Sequence, residues 1–226
     1  MSASDGRPPR ARPGTRLPLR DQVHRVLAGR ILRDELKPGS HVSDSALARE
    51  LDVSRTPIRE ALLRMEREGF VEAATGRGFF VRPLRVRDVR EVYPVLWTLE
   101  VLALRAAGPL DDARRARLDA VNAELEGEDD AERRIELDFA WHALLLGTCG
   151  NEHLMATITA QKALIRRYEY AYMQNAGHIP LSTRTHNRIA DLVADGRQNE
   201  AAPLLENNWR QTMETLVDWL SEVVGA

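Results

Sequence analysis

The chain has 226 residues, with 32 Lys+Arg against 34 Asp+Glu, 43% hydrophobic residues and a single cysteine, Cys149. This length and composition suit a soluble globular protein of one large domain or two smaller ones, and one cysteine excludes an internal disulfide. No run resembles a transmembrane span or the apolar core of a signal peptide, so a cytoplasmic protein with no membrane partner is expected.

The net charge of −2 conceals a division. Residues 1–87 carry 18 basic and 11 acidic side chains, whereas residues 88–226 carry 14 and 23. A basic first third on an acidic remainder points to a nucleic-acid module joined to a body that avoids nucleic acid.

Residues 1–16 are rich in Pro, Arg and Ser with almost no apolar content, and read as a disordered arm. From residue 17 to 36 the apolar positions Leu19, Val23, Val26, Leu27, Ile31 and Leu32 predict a helix that Lys37-Pro38-Gly39 ends. Residues 43–68 read as two short helices joined by a tight turn at Asp52-Val53. Ser43 is placed to cap the first and Ser54 the second. Pro57 is tolerated in a first helical turn, where amides lack intrahelical acceptors. Ile58, Ala61, Leu62 and Met65 form a buried stripe on the second helix, while Arg55 and Arg59 lie one turn apart on another face. A helix start carrying two guanidiniums and the hydroxyls of Ser54 and Thr56 suits the phosphates and base edges of a DNA major groove. Gly69 stands at the C′ position of that helix. Apolar runs at 70–73 and 79–81, separated by Thr75-Gly76-Arg77-Gly78, predict a hairpin with Arg77 at its tip. Three helices and a hairpin make a winged helix-turn-helix over residues 17–82.

Residues 83–87 read as a linker, because Pro83 blocks a continuous helix from the hairpin. From Asp88 onward no strand pattern appears. Six helices are predicted near 88–107, 111–126, 130–148, 151–175, 181–195 and 198–224, punctuated by Gly108-Pro109, Gly127, residues 147–151, residues 177–180 and Gly196. The fold class is therefore mainly α: a winged helix-turn-helix followed by an all-α six-helix bundle over residues 88–226.

Two sets of residues carry a family resemblance. Leu36-Lys37-Pro38-Gly39, Leu47-Ala48-Arg49-Glu50-Leu51, the string Val53 to Leu62, and Glu68-Gly69-Phe70-Val71 with Gly76-Arg77-Gly78 resemble the DNA-binding half of the GntR family of bacterial regulators. The resemblance implies that Arg55 and Arg59 read bases and that Gly76 lies against the minor groove. Ser45 stands where a fatty-acid-responsive relative has a further DNA-reading arginine, which implies a different operator there. Leu137-Asp138-Phe139-Ala140-Trp141-His142, followed by residues 147–154, resembles the effector domain of the FadR-type (FCD) branch, and six helices are similar to its VanR-like subgroup.

Asp138 and His142 are four residues apart, so they share a helix face and can ligate one ion or form a hydrogen-bonded polar pair. Many members of the branch hold a divalent metal through one Asp and three His. The resemblance implies Asp138, His142 and His186 as ligands, with Asn208 where the third histidine usually stands. Zn, Ni or Mn would suit such a set. The arginine that meets effector carboxylates in relatives is replaced by Leu96, so Tyr93, Trp97 and Arg167 become the candidate effector contacts. Arg166 is read the same way, and Trp141, Tyr168 and Trp209 either line that pocket or are plain core.

The leading functional reading is a ligand-responsive transcriptional regulator that is not an enzyme. It would bind a palindromic double-stranded operator as a homodimer, with repression the sign implied by the resemblance and the bundle serving effector binding and dimerisation. The alternatives are a metal hydrolase using Asp138, His142 and His186, and an architectural DNA-binding protein without a ligand.

Overall fold

The computed structural model describes residues 18–33, 35–175 and 183–224. The arm expected over residues 1–16 and the loop over 177–180 lie outside the described residues. The first unit contains α1 (Leu19–Leu32), β1 (His41–Val42), α2 (Asp44–Glu50), α3 (Arg55–Arg67), β2 (Val71–Ala74) and β3 (Gly78–Val81). The second contains α4 (Val86–Ala106), α5 (Asp112–Gly127), α6 (Ala131–Leu146), α7 (Glu152–Asn175), α8 (Thr183–Ala194) and α9 (Gln198–Val224).

The first unit closes around one apolar cluster. Ile58, Ala61, Leu62 and Met65 of α3 meet Val23 and Leu27 of α1, Leu47 of α2, and Phe70, Val71 and Val81 of the wing. The stripe read on α3 is thus its buried face, as its i, i+3/i+4 spacing requires. On α1 the expected stripe is narrower, since Leu19 and Val26 are exposed. α1 also stops at Leu32 rather than near 36. The turn between α2 and α3 puts Asp52 at φ 51°, a conformation open to a short polar side chain that can bond locally. Ser43 caps α2 as expected, its hydroxyl accepting from the Ala46 N–H at 3.2 Å. Ser54 occupies the cap position of α3, but its side chain makes no capping hydrogen bond. That hydroxyl stays exposed at the helix start.

The sheet has the order β1-β3-β2, with both pairs antiparallel. Val71 faces Val81 and Ala74 faces Gly78, so β2 and β3 form the expected hairpin. β1 was not visible in the sequence, because two residues are too few to show alternation.

The second unit is the six-helix bundle. α4 packs along α9 and α7, α5 along α6 and α8, and α8 along α9. Its core includes Tyr93, Leu96 and Leu104 of α4, Leu118 of α5, Trp141 and Leu145 of α6, Ile158 and Ile165 of α7, Ile189 and Val193 of α8, and Leu205, Trp209 and Leu216 of α9. α4 begins at Val86, so helix takes up the end of the segment read as a linker. Among the described residues no helix is long and apolar enough to cross a membrane.

The junction between the units is polar and buried. Arg167 of α7 donates from Nη1 to the carbonyls of Gly69 and, at 3.1 Å, of Arg82, and from Nη2 to the carbonyl of Pro83 at 2.7 Å. Tyr168 donates its hydroxyl to Asp88 at 2.9 Å, and Asp88 also pairs with Arg82 at 2.8 Å. Gly69 has φ 74°, and a Cβ there would lie 3.3 Å from Leu164 of α7, so the end of α3 needs glycine both for its conformation and for this approach. One guanidinium therefore holds the exit of α3 and the exit of the wing against the bundle. Replacing Arg167 by Ala leaves buried carbonyls without a donor, at a cost of about 2–4 kcal/mol. The expected outcome is a lower melting temperature with faster tryptic cleavage at Arg85 or Arg87, read on gels over a digestion time course; an unchanged digestion rate would refute the clamp.

Candidate functional sites in the winged helix and the bundle

On the winged unit, Ser54, Arg55, Thr56 and Arg59 are all exposed at the start of α3, outside its buried stripe. Arg77 is exposed in the turn of the wing, with its guanidinium 5.3 Å from the centre of the Phe80 ring. Gly76 precedes it at φ 73°, with open space around the position a Cβ would take. The arrangement presents guanidiniums and hydroxyls at a helix N-terminus and a cation on a neighbouring hairpin. This suits a major groove flanked by phosphates. Ser45 is also exposed, on α2.

In the bundle the structure brings Asp138, His142 and His186 together, with one ligand atom from each lying within 4.8 Å of the others. Asp138 and His142 come from successive turns of α6, and His186 from the first turn of α8. The His142 Nε2 is 3.8 Å from one Asp138 oxygen, and the His186 Nε2 is 3.5 Å from the other. Both imidazoles are fully buried, whereas Asp138 keeps 23% of its side chain exposed and forms the solvent-facing edge of the cluster.

The partners behind these groups fix their chemistry. His142 donates from Nδ1 to Glu100 at 2.7 Å, and His186 donates from Nδ1 to the Asn122 side-chain oxygen at 3.1 Å. Asn122 is held by its own amide, which donates to the Thr183 carbonyl and to Asn187. With Nδ1 protonated, each Nε2 offers a lone pair. The Nε2 of His142 is buried and has no hydrogen-bond partner. The Trp141 ring stacks on His186 with centroids 3.8 Å apart and planes at 6°, which locks the imidazole plane. The His142 Nε2 lone pair and the Asp138 carboxylate thus face each other beside the His186 Nε2, and the two electron-rich groups repel. A cation or a proton resolves that repulsion, and an oxygen with two imidazoles is an accepted donor set for Zn, Ni or Mn. The residues present therefore fit a divalent ion.

Titration behaviour follows from burial and neighbours. Burial pushes the Glu100 carboxyl up, but the charges and hydrogen bonds of His142 and Lys162 outweigh it and hold the group well below the usual carboxylate range. Loss of solvation, then the nearby His142, pushes His186 far below an ordinary imidazole, which keeps it neutral. Loss of solvation also raises Asp138. Glu169 of α7, buried and accepting from the Tyr93 hydroxyl at 2.8 Å, is pushed up to about 8 by burial first and by Asp138 second.

The remaining sequence candidates divide. Tyr93 is buried beside the cluster, its ring edge-on to Trp209 and its hydroxyl on Glu169. Asn208 is buried on α9, next in the chain to Trp209. Trp97 is half-buried under the Arg210 guanidinium. Arg167 directs its hydrogen bonds to the junction with the winged unit. Arg166 pairs with Glu132 at 3.0 Å on the surface, and Leu96 is core. Two residues that sequence reasoning did not single out as functional carry much of the site. Glu100 accepts from the Trp209 indole at 2.7 Å, as well as from His142, and pairs with Lys162 at 2.7 Å. Each was detectable as a charge inside an apolar stripe: Glu100 between Leu96 and Leu104 on α4, and Lys162 between Ile158 and Ile165 on α7.

A winged helix with an arginine-bearing helix start, joined to a helical bundle with a buried polar cluster, has the architecture of a two-unit DNA-binding regulator. Comparison with known proteins gives the family. Residues 19–81 match the bacterial regulatory proteins of the gntR family, and residues 91–211 match the FCD domain. The chain is 31% identical over 194 residues to the Nta operon transcriptional regulator of Aminobacter aminovorans, covering 83% of this chain and 91% of that one. It is 24% identical over 220 residues to the HTH-type transcriptional repressor RspR of Escherichia coli K12, covering 91% and 95%. Among solved structures, E. coli McbR/YncC superposes with a TM-score of 0.71 at 20% identity, covering 90% of this chain and 99% of that one. A GntR transcriptional regulator from Rhodococcus sp. RHA1 gives 0.69 at 22%, covering 88% and 97%. The chain belongs to the GntR family and carries an FCD domain. It is a DNA-binding transcriptional regulator and not an enzyme.

Glu169 yields a pH prediction. Its carboxyl is raised in the folded state, so the unfolded chain loses that proton first, and stability falls as pH rises from about 4.5 to about 8. Glu169→Gln keeps an acceptor for Tyr93 but cannot ionise. Its melting temperature is expected to exceed that of the parent at pH 8 by the equivalent of ~2–4 kcal/mol and to converge with it near pH 5. Calorimetry across that range checks this, and parallel pH profiles would contradict it.

Proposed function

We propose that this regulator is a repressor that binds a palindromic operator as a homodimer in the cytoplasm, and that a small metabolite, together with a divalent metal in the bundle, controls its occupancy of DNA. The observation that carries this reading is the convergence of Asp138 and the two Nε2 atoms of His142 and His186, each imidazole oriented by its own acceptor, with the His142 Nε2 buried and unpartnered. Asp138, His142 and His186 would hold the ion, with Asn208 as a fourth candidate. When bound, the ion would supply a Lewis-acidic charge for an oxygen of the metabolite. Glu100 and Asn122 aim the two imidazoles by accepting from their Nδ1 atoms.

Two further features support the regulatory part. α7 carries Lys162 and Glu169 beside the cluster and Arg167 and Tyr168 at the junction, so one helix touches both the sensor site and the exit of the winged unit. A ligand that favours one setting of α7 would shift the population of DNA-competent molecules by its differential affinity. Val95 and Leu102 lie two turns apart on one face of α4 and are 46% and 55% exposed, a surface suited to a second copy of the chain. A dimer is also what DNA reading needs, since one recognition helix reads too few bases alone.

Two measurements test the reading. Zn²⁺ or Ni²⁺ at about a hundred times its dissociation constant should stabilise the chain by ~2.7 kcal/mol, and His142→Ala should abolish that gain. A parent protein whose melting temperature ignores every divalent metal would refute the metal site. Arg59→Ala should lose about ten-fold or more in affinity for a duplex selected by the parent protein, with its melting temperature kept. Full affinity in this variant would refute the assignment of α3 as the reading helix.

A further inference from the structure

We infer that Asp44 is a positioning residue for DNA reading: its carboxylate holds the Arg55 guanidinium in place and so sets which base Arg55 accepts. This rests on the reading of Arg55 as a base contact. Asp44 is the first residue of α2 and Arg55 the first of α3, so the two helix starts face each other across the turn. Arg55 donates from Nη2 to both Asp44 oxygens, at 3.0 and 2.8 Å. The contact is the largest influence holding the Asp44 carboxyl below its ordinary value, with Arg59 a smaller one. Among the described residues, Nε and Nη1 of Arg55 have no hydrogen-bond partner, and the guanidinium is 61% exposed, whereas the Asp44 side chain is 22% exposed.

The arrangement has a cost and a benefit that separate it from ordinary surface ion pairing. A carboxylate at a DNA-facing helix start repels phosphates, so on electrostatic grounds alone its presence weakens binding to any duplex. A free arginine side chain has many rotamers, and fixing it on binding is entropically unfavourable. Asp44 fixes the fork in advance, engages one nitrogen and leaves the others for base-edge acceptors such as O6 and N7 of guanine. It also offers an acceptor where an unpaired Arg55 would otherwise turn to a phosphate. The expected effect is therefore on selectivity rather than on total affinity.

The test is selection of binding duplexes from a random-sequence double-stranded DNA library with the full-length chain, followed by affinity measurements on the enriched sequence and on its single-base variants. The parent should enrich a motif, and Arg55→Ala should lose discrimination at one base of each half-site. Asp44→Asn should lose about ten-fold discrimination at that same base while binding an unrelated duplex as tightly as the parent or tighter, with an unchanged melting temperature. Asp44→Glu should restore discrimination, and Asp44→Asn should add nothing in the Arg55→Ala background. A weakened α2 would lower affinity for every duplex alike, and that result would overturn the inference. So would an Asp44→Asn motif identical to the parent's while Arg55→Ala changes. An Arg55→Ala motif equal to the parent's would instead overturn the reading of Arg55 itself, and this inference with it.

Discussion

A carboxylate buried at the meeting of four helices costs several kcal/mol unless donors surround it, and the bundle is built around one such group. Glu100 of α4 receives His142 from α6, Trp209 from α9 and the Lys162 ammonium from α7. Its three partners reach it from three other helices, so the helices can settle only in the register that satisfies it. An apolar core tolerates sliding and repacking, but a buried ion network does not. The same contacts decide the chemistry of the cluster, because the acceptor on Nδ1 of His142 is what turns its Nε2 toward Asp138 as a lone pair.

The network is bound to the rest of the chain through α7. Residues 162 to 169 span two turns, so side chains at 162, 165 and 169 share one face while 164, 167 and 168 turn toward another. Lys162 and Glu169 accordingly look into the bundle, where Lys162 meets Glu100 and Glu169 meets Tyr93. Leu164, Arg167 and Tyr168 reach Gly69, Arg82, Pro83, Arg85 and Asp88 at the exit of the winged unit. The helix that faces the cluster is the one that grips the DNA-binding unit, and the grip includes directional hydrogen bonds as well as apolar contact.

The sequence disclosed the periodic features and missed those that depend on which faces meet. The stripe of α3, its arginines and the six bundle helices follow from i, i+3/i+4 spacing and from glycine and proline punctuation, and they appear within a few residues of their expected bounds. Spacing pairs Asp138 with His142 on α6, but His186 could be joined to them only through the family resemblance, because α6 and α8 are brought together by tertiary packing that spacing does not reveal. Arg167 shows the limit from the other side. Its position on a bundle helix makes it a plausible ligand contact, but its guanidinium turns outward to carbonyls of the other unit. Ser54 has the right residue type for a cap at the right place, yet it leaves its hydroxyl to solvent.

The two polar centres of the molecule use the same device for opposite ends. At the facing starts of α2 and α3 a half-buried carboxylate restrains an exposed arginine, and in the bundle a buried carboxylate restrains a buried histidine. In each pair the acidic partner costs affinity or stability in isolation, through phosphate repulsion in one case and desolvation in the other. What each supplies is direction: a guanidinium fork and an imidazole lone pair aimed before any ligand arrives. A group aimed in advance loses less entropy when it binds, so its contribution to discrimination between ligands exceeds its contribution to affinity. For a DNA-binding regulator this is the useful partition, since it must distinguish one DNA site from an excess of others while remaining able to release it.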